Sequence, residues 1–401
     1  MAQRDIHPGL KSLDRLGCEG GTYGMRIGID GKVISSKAGG IGTSAFNLLR
    51  ACIRTAEERY PEMAFVIFTG PQTCLDGIQG DNWRVDERFR GIESSLLRLL
   101  FYIPRGLRAQ HIDVFHGLDH LGVPLFTKVG RYVVTIHDMI PLVRPQFVTR
   151  KHHLVVAAAC RRLRQQADLV IVPSEATKTD VMHQLQISAD RIVVIPWGCD
   201  ERFRPSGAPE RLAAVQRKYG LPARYLLFVG TLEPRKNLTT LLKAYARLRA
   251  EQRDHGVKLV VVGRKGWLYA EIFETAQALA LHDDVLFTDY VEDQDLPEFY
   301  RGALLLVFPS LYEGFGLPIL EAMASGVPVI ASDTSSMPEV AGDAALLIDA
   351  RKPEAIAEGI AQILADEQLR NTLTQRGLAR SQCFTWESVA QKTLALYAAL
   401  A

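Results

Sequence analysis

The sequence predicts an α/β protein built from two doubly wound domains. Three observations lead there. At 401 residues and 47% apolar composition, the chain outgrows a single ordinary core. Short β-rich runs alternate with helical stretches along its length, the pattern of parallel strands joined by crossover helices. A polar stretch, residues 196–222, holds PWGCDERFRP and divides that alternation into two series.

In the first series the strand candidates are residues 25–30, 64–69, 114–116, 131–136, 169–173 and 192–195. In the second they are 225–230, 258–263, 285–287, 304–309 and 328–331. Lengths near five residues with helices between them fit a doubly wound sheet in each half. Helical periodicity is clearest over 43–59, 238–250, 318–324 and 353–366. The domains are therefore expected at 25–200 and 201–384. The last stretch, 385–401, carries Val389, Leu394, Leu396 and Tyr397 in an amphipathic pattern. It must pack either on its own domain or back on the first. Residues 1–24 are polar, with glycines, acids and no apolar run, so they read as a disordered extension and not as a secretory signal. Met25 could itself be a start.

A formal net charge of +2 argues against a dedicated nucleic-acid binder. The six cysteines are scattered without a C-x-x-C pair, which excludes an evident zinc or disulfide framework and suits a reducing, cytoplasmic compartment. The longest apolar runs stop well short of a membrane span.

The most informative stretch is FPSLYEGFGLPILEAMASGVPVIASDTSSMPEV, residues 308–340. Glu313 follows an apolar strand and sits in a loop with Gly314 and Gly316, ahead of a helix with Pro318 in its first turn. Glycines there let backbone N–H groups approach a ligand, and a helix N-terminus attracts phosphate. Glu321 lies eight residues after Glu313, within the first turns of that helix. Its carboxylate could accept two hydrogen bonds from a ribose diol. The plainer reading is a helix with acids near its positive end.

Glu313-Gly-Phe-Gly-Leu-Pro-Ile-Leu-Glu321 resembles the E-x7-E motif of retaining GT-B glycosyltransferases, most closely those of glycosyltransferase family 4. Gly326-Val-Pro-Val-Ile, Pro338-Glu-Val and Gly342 extend the likeness, which runs from about Met25 to Tyr397. It implies a GT-B fold, two Rossmann-like domains facing each other across a cleft. It also implies that Glu313 contacts the hydroxyls of a donor sugar, that Phe315, Gly316 and Leu317 meet sugar and phosphate through their backbone, and that Glu321 takes the ribose.

FVGTLEPRKNL, residues 228–238, reads as a strand, a loop with two adjacent cations and a helix. Breaking a sugar–phosphate bond builds negative charge on the departing diphosphate, and fixed cations lower that barrier. Arg235 supplies a fork and Lys236 a point charge. The resemblance assigns Lys236 to the diphosphate. Many relatives have Arg directly after the strand-ending glycine where this chain has Thr231, so Arg235 is expected to take part of that role. Glu233 and Asn237 read as structural.

In the first half, Gly39, Gly40 and Gly42 precede a helical pattern without the G-x-G-x-x-G spacing, so a nicotinamide site has little support. The loop matches the family's loop over the donor phosphates and acceptor, with Gly40 and Gly42 as the candidates. His137 in VVTIHDMIPL ends a strand, at the mouth of an open α/β sheet where ligands bind. The resemblance places it near the anomeric centre, orienting donor hydroxyls. His116 ends another strand and is the acceptor-side candidate. Asp293-Gln-Asp295, the one Asp-x-Asp, precedes a helix and reads as a cap, while the Val291 backbone is implied as a contact for the base. No metal or other cofactor is expected; the nucleotide sugar is a substrate.

Residues 25–200 carry a modest excess of Lys and Arg, and residues 201–401 a small excess of acids. Residues 94–110, SSLLRLLFYIPRGLRAQ, combine bulky apolar side chains with Arg98, Arg105 and Arg108. Such a segment either lies on an anionic bilayer at the cytoplasmic face of the inner membrane or packs in the core with an arginine rim. The expected activity is retaining transfer of a hexose from a nucleotide diphosphate sugar to a saccharide or lipid-linked acceptor. GDP-mannose leads as donor because TLEPRKN and TIHDMIPL resemble bacterial mannosyltransferases. A nucleotide-sugar epimerase and a non-catalytic sugar-nucleotide-binding subunit are the competing readings; the second sits poorly with His137, Lys236, Glu313 and Glu321 all in place.

Overall fold

The computed structural model describes residues 24–34, 39–89, 91, 94, 97–122, 124 and 128–400. The extension read at 1–24 lies outside them except for Gly24. Two sheets form, as the alternation requires. The first holds β1 (Met25–Asp30), β2 (Met63–Phe68), β3 (Trp83–Asp86), β4 (Val114–Gly117), β5 (Arg131–Thr135), β6 (Leu169–Val172) and β7 (Ile192–Val194) in the order β3-β2-β1-β4-β5-β6-β7. The second holds β8 (Tyr225–Val229), β9 (Lys258–Val262), β10 (Val285–Phe287), β11 (Leu305–Phe308), β12 (Val329–Ser332) and β13 (Leu346–Ile348), ordered β10-β9-β8-β11-β12-β13. Central strands such as β2 and β11 are nearly continuous apolar runs because helices cover both their faces. In each sheet the winding reverses once, between β1 and β4 and between β8 and β11, as in Rossmann-type sheets.

By packing, the chain divides into two compact units: one holds the described residues as far as Val134 with Gln166–Asp168 and the chain from Ala390, the other Thr135–Gln165 and Leu169–Val389. In the first, Phe68, Phe115 and Tyr132 pack edge to face, at ring separations of 6.3 and 5.7 Å. Arg98 does not sit on a rim. It is 1% exposed, and its guanidinium lies 2.9 Å from the Asp30 carboxylate at the end of β1, also donating to the Phe68 and Thr69 carbonyls. Burial pushes the Asp30 carboxyl up, against the pull of Arg98. A π-helical turn, Arg98–Tyr102, leads into the helix Ile103–Ala109 and leaves Leu97 and Phe101 exposed.

His116 is fully buried in β4, with Nδ1 2.6 Å from the Tyr397 hydroxyl of the C-terminal helix Trp386–Leu400. That corrects its reading as an acceptor-side residue, since a side chain enclosed on all sides presents no face to an acceptor. The glycine run is corrected too. The helix expected from 43 begins at Gly40, so Gly40 and Gly42 belong to its first turn and not to a loop before it.

The core of the second unit gathers Leu226 and Phe228 of β8, Val307 of β11 and Ile330 of β12 under Leu241, Leu242, Ile356 and Ile360. These last four come from the helices Leu238–Ala250 and Pro353–Ala365.

Candidate active site

The strand order reverses between β8 and β11, and in open α/β sheets ligands bind at the carboxyl ends of the strands at such a reversal. The β8 loop runs from Gly230 to Asn237, the β11 loop from Pro309 to Gly316. Asn237 ties them together. It sits in the left-handed region at φ 59°, which Asn tolerates better than most residues. Its Nδ2 donates to the carbonyls of Pro309, at 3.1 Å, and Ala350, at 2.7 Å. The Leu311 N–H donates to the Arg235 carbonyl at 2.8 Å.

So held, Arg235 and Lys236 converge on Glu313. Lys236 Nζ is 2.5 Å from Oε1 and the Arg235 guanidinium 2.7 Å from Oε2. Lys236 is 6% exposed and Glu313 8%, so the network is close to dry and its interactions are weakly screened. The lysine stem crosses Gly230, where a Cβ would stand 3.2 Å from Cε, and its ammonium faces the Phe308 ring at 5.0 Å. Burial pushes the Glu313 carboxyl up, but the two cations outweigh it and hold it at about 2. Burial, with Arg235 adding to it, lowers the Lys236 ammonium against the pull of Glu313. Glu233 completes the cluster: it is 1% exposed, with Oε1 2.5 Å from Arg235 Nε. Neither of its oxygens meets a donor in good hydrogen-bond geometry, and burial pushes its carboxyl up.

The β11 loop is fixed by backbone contacts that side-chain patterns do not announce. Ser335 and Ser336 hydroxyls donate to the Glu313 carbonyl at 2.6 and 2.9 Å. Ser174 and Thr177 donate to the Gly314 carbonyl at 2.7 and 3.0 Å. A Cβ on Gly314 would fall 1.7 Å from the His137 carbonyl oxygen, so only glycine permits this approach. His137 is thereby brought beside the Glu313 loop, its ring 5.6 Å from that of Trp197, which stacks on Trp386. Gly316, at φ 124°, caps the helix Leu317–Ala324, and Phe315 packs edge-on to Phe384.

Glu321 sits apart from this cluster, with Oε2 accepting from the Tyr300 hydroxyl at 2.6 Å. Burial raises its carboxyl to about 7, with Asp200 and Asp293 adding to the effect against Tyr300 and Arg202. The folded chain thus holds this proton more tightly than the unfolded one. The stabilisation is full below about 4.5 and is lost as pH rises through about 7. Glu321→Gln should therefore stabilise the fold at pH 8 by about 2 kcal/mol, a gain that fades toward pH 4. Thermal unfolding across that range checks it; a gain independent of pH would contradict it.

Val291 is buried in the loop after β10. The capping expectation for Asp293-Gln-Asp295 is corrected. Asp295 stands at the N-cap of the helix Leu296–Arg301 but makes no capping hydrogen bond. Its carboxylate is taken by Lys218 at 2.8 Å, Tyr219 at 3.0 Å and Arg211 at 3.4 Å.

A buried lysine and a half-buried arginine at a strand-order reversal suit an anionic ligand. Residues 38–203 match the profile described as Glycosyltransferase Family 4, and residues 215–380 that of Glycosyl transferases group 1. O-antigen chain mannosyltransferase B of Escherichia coli is 35% identical over 285 residues, 71% of this chain and 74% of that protein. Serotype-specific mannosyltransferase WbdA of the same species is 29% identical over 67% of this chain, a match spanning only 34% of its own length. Among solved structures, Anabaena HepE in complex with UDP and glucose superposes with a TM-score of 0.71 at 20% identity, covering 93% of this chain and 99% of that one. WaaG, a glycosyltransferase involved in lipopolysaccharide biosynthesis, gives 0.69 at 18% identity, with 93% and 99% covered. The fold is GT-B, and the chain belongs to the family 4 glycosyltransferases.

Proposed function

We propose that this enzyme transfers a mannosyl group from GDP-mannose, with retention at the anomeric carbon, to a saccharide acceptor carried on a lipid. The observation that carries the reading is the buried Arg235–Glu313–Lys236 network at the β8/β11 reversal. A diphosphate entering there competes with Glu313 for both cations. Glu313, released, turns to the hydroxyls of the donor sugar, which His137 orients from the other side. As the bond between the anomeric carbon and the phosphate oxygen breaks, charge grows on the diphosphate, and Lys236 and Arg235 stabilise it where no water has to reorganise. The acceptor hydroxyl attacks from the face the diphosphate leaves, and its proton passes to a donor phosphate oxygen. Glu321 receives the ribose diol and the Val291 backbone the base.

Support for mannose comes from the two mannosyltransferases named above, and for a lipid-linked acceptor from the exposed Leu97 and Phe101 beside Arg105 and Arg108. Acceptor-dependent release of nucleoside diphosphate across a panel of nucleotide sugars tests the proposal. GDP-mannose should turn over fastest, giving an axial product linkage by NMR. Preferred turnover of UDP-glucose would overturn the donor, and an inverted product the stereochemistry.

Turnover is also expected to need no divalent metal. Cations already built into the site neutralise the leaving group, and Asp295 is committed to Lys218, Tyr219 and Arg211. Initial rates should be unchanged in EDTA; loss of activity that manganese restores would contradict this.

A further inference from the structure

Among the described helices, Arg150–Gln166 carries the largest excess of cations. Its seventeen residues include five Arg or Lys and two His, with no acid among them. One face holds it to the fold through Val156, Cys160 and Leu163, all buried. On the opposite face Lys151, Leu154, Val155, Ala158 and Arg161 follow one another at three- and four-residue spacing, and all are exposed. Leu154 is 66% exposed and Val155 48%, and Leu154 is the most exposed large apolar side chain described. Arg150 and Arg164 flank this face and are exposed as well.

The charges on this face are also not neutralised by the described residues. Among the described residues no carboxylate pairs with Arg150, Lys151, Arg161 or Arg164. Surface arginines elsewhere do find partners: Arg247 with Glu251 at 2.8 Å, Arg253 with Glu358 at 2.9 Å. A strip of exposed Leu, Val and Ala, set among unpaired cations and with acids excluded, is costly in water. It suits a plane that is apolar below and anionic at its surface. The aliphatic side chains enter the acyl boundary while the long cationic ones stay at the headgroups. Each Lys or Arg near such a surface adds to the attraction, and acids would have repelled it.

We propose that the outer face of the helix Arg150–Gln166 docks this enzyme on an anionic lipid bilayer. The inference deepens the lipid-linked acceptor reading, for which membrane docking supplies the location, but it rests on the helix and not on the sugar transferred.

Co-sedimentation of the full chain with vesicles tests it, using phosphatidylglycerol mixed with phosphatidylcholine against phosphatidylcholine alone. The wild type should partition at least tenfold better onto the anionic vesicles, and should be released by raised salt. Leu154→Glu, and separately the pair Arg161→Glu with Lys151→Glu, should each lower that partition tenfold or more. Both variants should keep the wild-type melting temperature and affinity for nucleoside diphosphate. No binding by the wild type, or binding unaltered in both variants, overturns the proposal. So does a variant that changes only the sedimentation mass, which would make the face a contact between copies. Turnover of GDP-mannose on a soluble acceptor reads the donor proposal separately, and these variants leave it unchanged whether or not docking is lost.

Discussion

Replacing Lys236 with alanine should lower kcat by roughly a hundredfold to a thousandfold, the scale of removing one preorganised charge from a transition state. Donor affinity should fall less, because the diphosphate carries more charge in the transition state than in the bound substrate. The variant should fold, since Glu313 keeps Arg235 as its partner at 2.7 Å. Lys236→Arg should not restore the rate. The stem is confined between Gly230 and the Phe308 ring, and a guanidinium cannot take the place of a compact ammonium there. Initial-rate kinetics of the two variants decide it. A raised KM with unchanged kcat would show that Lys236 only anchors the donor.

Removing Glu313 should have the opposite signature in binding. This carboxylate pairs with both of the cations proposed to take the diphosphate. Glu313→Gln should therefore bind nucleoside diphosphate as well as the wild type or more tightly, while turnover falls at least a hundredfold for want of the sugar contact. It should also be less stable, by about 3 kcal/mol, because the buried Lys236 loses its counter-charge while the half-buried Arg235 keeps only Glu233. Glu321→Ala should do the reverse. It should lose nucleoside diphosphate affinity, on the order of 1.5–3 kcal/mol for each ribose hydrogen bond. Calorimetric titration of both variants separates them, and equal losses of affinity would mean that one glutamate is misplaced.

The architecture was legible where the sequence is periodic. The apolar runs that became β1, β2, β8, β9 and β11 are buried on both faces, and burial is what makes such a run unambiguous. The strands left out of the expectation, β3 and β13, are short edge strands. Trp83-Arg84-Val85-Asp86 mixes charge with apolar residues, and Leu346–Ile348 is three residues long and only partly buried. Neither has the composition of a central strand.

The positions of the candidate residues were legible as types and loops, because glycines and adjacent cations mark a strand-to-helix loop. Their pairing was not. That Glu313 bridges Arg235 and Lys236, the latter seventy-seven residues away in the chain, depends on β8 and β11 being neighbours. Arg98 was misread because a cation between apolar residues looks like a rim, and only Asp30 across the fold reveals it as a buried partner. His116 carries no local sign of the Tyr397 hydroxyl that encloses it. Glu233 gives no hint in TLEPRKN that its carboxylate is buried beside Arg235 with poor hydrogen-bond geometry.

The central claim is that the donor enters at the β8/β11 reversal and takes the cations from Glu313. A crystal structure of the enzyme with its nucleotide sugar, or with a non-hydrolysable analogue, tests this most directly. Diphosphate oxygens should lie on Lys236 Nζ and the Arg235 guanidinium, with the Glu313 carboxylate turned from both onto the sugar hydroxyls. A diphosphate bound elsewhere, with the Arg235–Glu313–Lys236 pairing intact, would contradict it.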